Sequence, residues 1–382
     1  MPRAALRRPR RGARDTGGAR GGRGGGVSGG LAATPLVRAL RVPEDAATFG
    51  AREWDLAVRA GRRSALLAAL AARLAEGPGL GAAPPAVRRH LEGALRLAAH
   101  HARALRHEVA VVREALAPLG VPLVLLKGAA YVLGGLPPAP GRLVADLDLL
   151  LPREALPEAE RLLFRRGWLT AEPDPYDQRY YREWMHEVPP LRHAARGTLL
   201  DLHHALVPPT GRLGRDPGDV AARARGIGDG LRVPAREDLV VHAALHRLGD
   251  GEHERALRDL WDLDRMLRAW GADGAFREAL EARVAEFRAE RAVAYALRAA
   301  YAVFATPIPG PLLAHLERRG RCRLAARVVV PLLLRASDPA RPAAWRAEGA
   351  ARLAMYVRGH WTRMPARLLL PHLARKAWRR SR

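Results

Sequence analysis

Asp146 and Asp148 stand two residues apart in the run Leu143-Val-Ala-Asp-Leu-Asp-Leu-Leu-Leu151. In an extended strand, side chains at i and i+2 leave the same face, so both carboxylates project together. Two carboxylates that close repel each other, and burial among leucines raises the cost. A divalent cation relieves both, and all-oxygen ligands of this kind suit Mg²⁺ or Mn²⁺. By the same logic, removing either aspartate should leave the fold intact or more stable. The alternative is a solvated strand end bearing two surface acids, which the flanking Val144, Leu147, Leu149 and Leu150 oppose.

A third carboxylate, Asp201, lies in the apolar run Leu199-Leu-Asp-Leu-His203. A two-metal phosphoryl-transfer centre uses a close carboxylate pair and a further carboxylate that activates the attacking hydroxyl. Asp201 fits that third place, and the three aspartates are the expected metal and catalytic set. His203 shares the face of Asp201 by the two-residue strand period and is expected to orient an acceptor or a phosphate. Lys127 and Gly128 are the expected phosphate grip: glycine lets a phosphate approach the backbone, and a helix opens there. Arg142, four residues before Asp146, is a second phosphate candidate.

Lys127 stands out for another reason. The 382-residue chain has 64 Lys+Arg, of which only Lys127 and Lys376 are lysine; it has no Asn, and Ile only at 227 and 308. That pattern reflects G/C-rich coding, so arginine excess is a poor sign of nucleic-acid binding. A lysine kept against that drift points to a site needing a compact ammonium rather than a planar guanidinium.

The elements that must hold these residues follow from periodicity. The apolar run 121–126, bounded by Gly120 and Gly128, predicts a buried strand; 129–134 predicts a short helix, 137–141 a loop, and 143–151 and 198–203 two more strands. A helix is expected over 153–166, and 176–188 reads as a loop or edge strand. Before this unit, helices are expected over 51–77 and 85–117, the second opened by Pro84-Pro85 and closed by Pro118. Beyond Pro234 the pattern is helical: 237–248, 253–270, 275–304, then shorter proline-punctuated pieces. The expected class is α+β: a small mixed sheet over 119–234, N-terminal helices over 36–118 and a large helical region over 235–382.

Other candidates carry less. His242 and His246 share a helix face, but no glutamate follows the first, so they read as core histidines rather than a zinc pair. His186-Glu187 is a weaker neighbour of the strand unit, and Arg258-Asp259 reads as a structural ion pair. One cysteine, Cys322, excludes an intramolecular disulfide framework and a Cys-cluster zinc site. No apolar run reaches 18 residues, so no transmembrane helix is expected, and a cytoplasmic location is the default. Asp+Glu total 39, giving a formal charge of +25. Residues 1–30 carry eight Arg, one Asp and ten Gly, and 349–382 carry eight Arg and one Lys with no acid. Residues 1–35 are therefore expected to be a disordered arm, with weak contact to nucleic acid or an anionic surface through both basic ends.

Taken together, Leu-Leu-Lys127-Gly128-Ala, then Arg142 with Asp146-Leu-Asp148-Leu-Leu, then Asp201-Leu-His203 resembles the uncharacterised bacterial nucleotidyltransferase family of the polymerase-β-like superfamily, over roughly residues 60–300. The resemblance implies a divalent metal and transfer of a nucleotidyl group from an NTP, ATP first among candidates, to an acceptor that is a small molecule, a protein or an RNA end. It also admits a non-catalytic relative, an antitoxin-like binding scaffold. The superfamily's usual Gly-Ser or Gly-Gly turn is replaced here by Lys127-Gly128-Ala129.

Overall fold

The computed structural model describes residues 28–249, 255–339 and 346–380. Most of the expected N-terminal arm lies outside the described residues. Its end does not match the expectation: Ser28–Ala32 is helical, and Leu31 joins the main core at 3% exposure, so 28–35 belongs with the helical body.

Seven strands form one mixed sheet in the order β3-β4-β5-β2-β1-β7-β6. They are β1 (Leu123–Leu125), β2 (Asp146–Leu150), β3 (Trp168–Thr170), β4 (Leu191–His193), β5 (Leu199–His203), β6 (Arg225–Gly228) and β7 (Leu231–Val233). β2 is central, antiparallel to β1 and parallel to β5. Leu147, Leu149, Leu200 and Leu202 point to the opposite face from the acids and are no more than 1% exposed. That apolar face pins the register, because a one-residue slip would bury Asp148 and Asp201 in the core.

The helix Pro85–Leu116 starts at a proline, whose fixed φ suits the first turn. It buries Leu91, Ala98, Leu105, Val109, Val112 and Leu116 along one stripe. It packs against the helices Leu67–Ala75, Lys127–Leu133 and Leu156–Arg165, closing one side of the sheet. The helix Arg236–Gly249 packs against Ala256–Trp270, Gly274–Glu286, Glu290–Phe304 and Arg346–Arg363. No helix among the described residues is long and apolar enough to cross a membrane.

The expected class is the observed one, but several elements differ in detail. The helix read over 51–77 is two, Ala51–Arg63 and Leu67–Ala75, broken where Ala65 takes φ 56°. The helix read over 275–304 is also two, broken where Arg288 takes φ 51°. In both cases apolar periodicity runs on through a left-handed residue that marks the chain's turn. The stretch 176–188 is mainly helical, Pro175–Arg179 followed by a π-turn at Tyr180–Trp184, and its start is capped by the Asp174 carboxylate accepting from the Tyr176 N–H at 2.8 Å. Strands β3, β6 and β7 are too short to show a period.

Candidate active site

Register brings the acids together. Asp148 on β2 is paired with Asp201 on β5, and Leu150 with His203, so Asp146, Asp148, Asp201 and His203 leave the same face of the sheet. Glu187 is added by an antiparallel bridge to His203, extended by hydrogen bonds from the Val188 N–H to the Leu202 carbonyl and from the His204 N–H to the His186 carbonyl, each 2.9 Å.

Lys127 arrives from the other side of β2. The Leu126 N–H donates to the Asp148 carbonyl at 3.0 Å, and Lys127 then turns with φ 47° into the helix Lys127–Leu133. Its Nζ lies 2.6 Å from Asp148 Oδ1. His203 Nε2 lies 3.0 Å from the same oxygen and 3.5 Å from Glu187 Oε2. Asp148 and His203 are almost fully buried, whereas the Lys127 side chain keeps 24% exposure.

The electrostatics split the aspartates. Burial opposes ionisation of Asp148, but the Lys127 ammonium and His203 outweigh it and hold the carboxyl well below the usual range. Burial lowers the Lys127 pKa, and Asp148 more than reverses this, leaving the ammonium firmly protonated. Burial pushes Asp201 up to about 7, and the Asp148 and Glu187 charges add to the rise. Burial and then Asp148 raise Asp146 as well. Asp146, Asp148, Glu187 and Asp201 surround the Lys127 ammonium, with Arg258 and Arg255 also acting on Asp146. Hard oxygen donors are the kind that Mg²⁺ or Mn²⁺ takes, but among the described residues the group whose ligand atoms all lie within 4.8 Å of one another is His186, Glu187 and His203, not the three aspartates.

Two expected phosphate groups are engaged elsewhere. Arg142 is buried, its Nε 3.0 Å from Asp262 Oδ2 and its Nη1 donating to the Leu143 carbonyl at 2.8 Å. It ties the loop before β2 to the helix Ala256–Trp270, and two of its nitrogens are engaged there. A Cβ at Gly128 would meet Val144 Cγ2 at 3.1 Å, so close packing accounts for that glycine. Arg258 and Asp259 do form an ion pair, at 3.2 Å, joined by Arg247 at 3.1 Å.

A cavity of about 200 Å³ is lined by Lys127, His186 and Glu187, whereas Asp146 lines a separate cavity beside His101 and Arg196. Tyr181, His246 and Arg363 also line the first of these. His242, on the same helix as His246, is 3% exposed, and burial together with Lys127 holds its imidazole well below its ordinary pKa. Glu187 and His186 had a weak sequence signal in the dipeptide before the strand; Tyr181, on the π-turn just before them, and Arg363, at the end of a distant helix, had none. The family model described as an uncharacterised nucleotidyltransferase matches residues 50–305. No curated protein and no solved structure matches the chain.

Proposed function

The chain belongs to the uncharacterised nucleotidyltransferase family, and from that premise we propose that it moves a nucleotidyl group from an NTP to an acceptor hydroxyl, with Mg²⁺ or Mn²⁺ held by Asp146, Asp148 and Asp201. The observation that carries this reading is the side-by-side pairing of Asp148 and Asp201 on adjacent parallel strands, with Asp146 two residues away on the same face. When bound, the cation supplies Lewis-acid stabilisation of charge on the transferring phosphoryl group.

The chain's own groups have distinct tasks. Lys127, partly exposed at the cavity, offers N–H donors to a phosphate oxygen while holding Asp148 ionised. Asp201, titrating near 7, is poised to take the proton of the acceptor hydroxyl at neutral pH. The acceptor oxygen bonds to the α-phosphorus, the bond to the bridging oxygen breaks, and pyrophosphate leaves with that electron pair. His203 braces Asp148 and Glu187 from beneath. Tyr181, in the cavity wall, is placed to contact the nucleoside.

One observation favours a second reading, a nucleotide-binding relative without turnover: Lys127 Nζ already occupies Asp148 Oδ1, at the point where the superfamily's usual turn is altered. Incubation with α-labelled NTPs, Mg²⁺ or Mn²⁺ and panels of small-molecule, protein and RNA acceptors separates the two. Transfer of label that is lost in Asp148→Asn supports the enzyme. Nucleotide binding without transfer in any panel supports the binding module.

A further inference from the structure

Beside the cavity that Lys127 lines is a second set of potential ligands whose chemistry differs from that of the aspartates. His186, Glu187 and His203 each present one ligand atom within 4.8 Å of the others. Two imidazoles and one carboxylate are the ligand mixture of Zn²⁺ and related transition-metal sites, whereas Mg²⁺ takes oxygen and water.

The polar accounting points the same way. Among the described residues, the Nδ1 atoms of His186 and His203 are both buried without a hydrogen-bond partner. His203 is 0% exposed, and its Nε2 is directed at Asp148, which leaves Nδ1 as the ring nitrogen without a carboxylate beside it. A histidine whose one nitrogen is fixed by a carboxylate while the other is free is the arrangement that orients metal-binding imidazoles. Buried polar atoms usually have a partner, and these two lie in neighbouring rings whose centroids are 5.2 Å apart, where one bound group could reach both.

The scaffold is suited to hold the set. His203 sits on β5, and His186 and Glu187 on the segment bridged to it. Their ligand atoms all lie within 4.8 Å of one another, against roughly 3.4 Å between ligand atoms around a tetrahedral zinc. The full span is wider, and the Glu187 side chain, 19% exposed, is the member with room to close it.

We propose that His186, Glu187 and His203 form a site for a borderline divalent cation of the Zn²⁺ type, separate in ligand chemistry from the Asp146–Asp148–Asp201 set. Such a site would exist whether or not the pocket transfers nucleotides. The test is titration of the full chain with Co²⁺ as a spectroscopic probe, in excess Mg²⁺, read by visible d–d absorption. The expected result is a Co²⁺ spectrum that Zn²⁺ abolishes and Mg²⁺ does not. His186→Gln and Glu187→Gln should each weaken Co²⁺ affinity at least tenfold with unchanged melting temperatures, while Asp146→Asn retains it. Because His203 is fully buried, the variants are placed on the 186–187 segment, where folding is least at risk. Failure of the wild-type chain to bind Co²⁺ in excess Mg²⁺ would overturn the site. So would undiminished binding in both variants, or a loss in Asp146→Asn as large as in His186→Gln. None of these readouts depends on label transfer, so this site and the transferase reading can fail separately.

Discussion

At the scale of single residues, the two aspartates of β2 are unlike each other. Simple repulsion implies that removing either one helps the fold, but the contacts split them. Asp146 is raised by burial and by its neighbour, so Asp146→Asn should be neutral or stabilising. Asp148 is the common partner of Lys127 and His203, and its loss strands a largely buried ammonium. Asp148→Asn is expected to cost about 3 kcal/mol, as breaking a buried pair from one side does. Urea denaturation of both variants at pH 7.5 checks this, and equal stabilities would refute it. Asp201 adds a pH signature. Its folded pKa of about 7 lies above the ordinary 3.8, so the folded state holds the proton more tightly than the unfolded one. Ionising Asp201 therefore destabilises the fold progressively as pH rises from about 4 to about 7, with the full penalty present above that. Asp201→Asn should gain at least about 1 kcal/mol at pH 8. That gain should shrink toward zero near pH 4 and fall when Mg²⁺ or Mn²⁺ is added to both proteins. Thermal melts across that range would show a pH-independent difference if the assignment were wrong.

Among the elements, the loop between the helix Lys127–Leu133 and β2 decides whether Asp146 and Asp148 are delivered correctly. It is held at two consecutive residues. Gly141 has φ 71°, and a Cβ there would lie 2.3 Å from the Ala68 backbone carbon, so only glycine lets the loop lie against the helix Leu67–Ala75. Arg142 then ties the same loop to Asp262 on the far helix. Gly141→Ala combines a left-handed strain of about 1–2 kcal/mol with a backbone clash that cannot rotate away. We expect a loss of about 2 kcal/mol or more, together with weakened Mn²⁺ binding, measurable by denaturation and by calorimetry. An alanine variant with wild-type stability would show that the loop is not clamped there.

Over the whole molecule, the C-terminal helix Ala366–Arg380 reaches back to the site's wall. His372 stacks on Tyr180 with ring centroids 4.6 Å apart, and Arg375 pairs with Asp174 at 3.3 Å. Met185, Met364 and Leu369 form a small cluster separate from the main core. Tyr180, Tyr181 and Met185 of that region also line the cavity that holds Lys127 and Glu187. A satellite cluster of this size adds little to global stability but fixes the position of the wall. Truncation after Pro365 should therefore weaken nucleotide affinity about fivefold or more, roughly 1 kcal/mol, with a much smaller effect on the main melting transition. Fluorescent-nucleotide titration of the truncated chain provides the check, and unchanged affinity would remove the C-terminal helix from the site's architecture.

Strand periodicity put Asp146 with Asp148, and Asp201 with His203, on a shared face within each strand, and a local glycine boundary put Lys127 just past β1; the parallel pairing of β2 with β5 is what brings the two pairs to one face of the sheet. The α+β class followed from the switch between helical and extended periods. What periodicity cannot carry is partnership between distant segments. Arg142 read as a phosphate ligand until the packing of the helix Ala256–Trp270 supplied Asp262. Glu187 and His186 gained weight only through the bridge to β5. The opposite pKa shifts of Asp146 and Asp148 depend on which of two identical side chains meets the ammonium from β1. Local sequence determines which face a residue takes; the energy of a buried charge depends on what the rest of the chain brings within a few ångströms of it, and that is decided only when the sheet and helices pack.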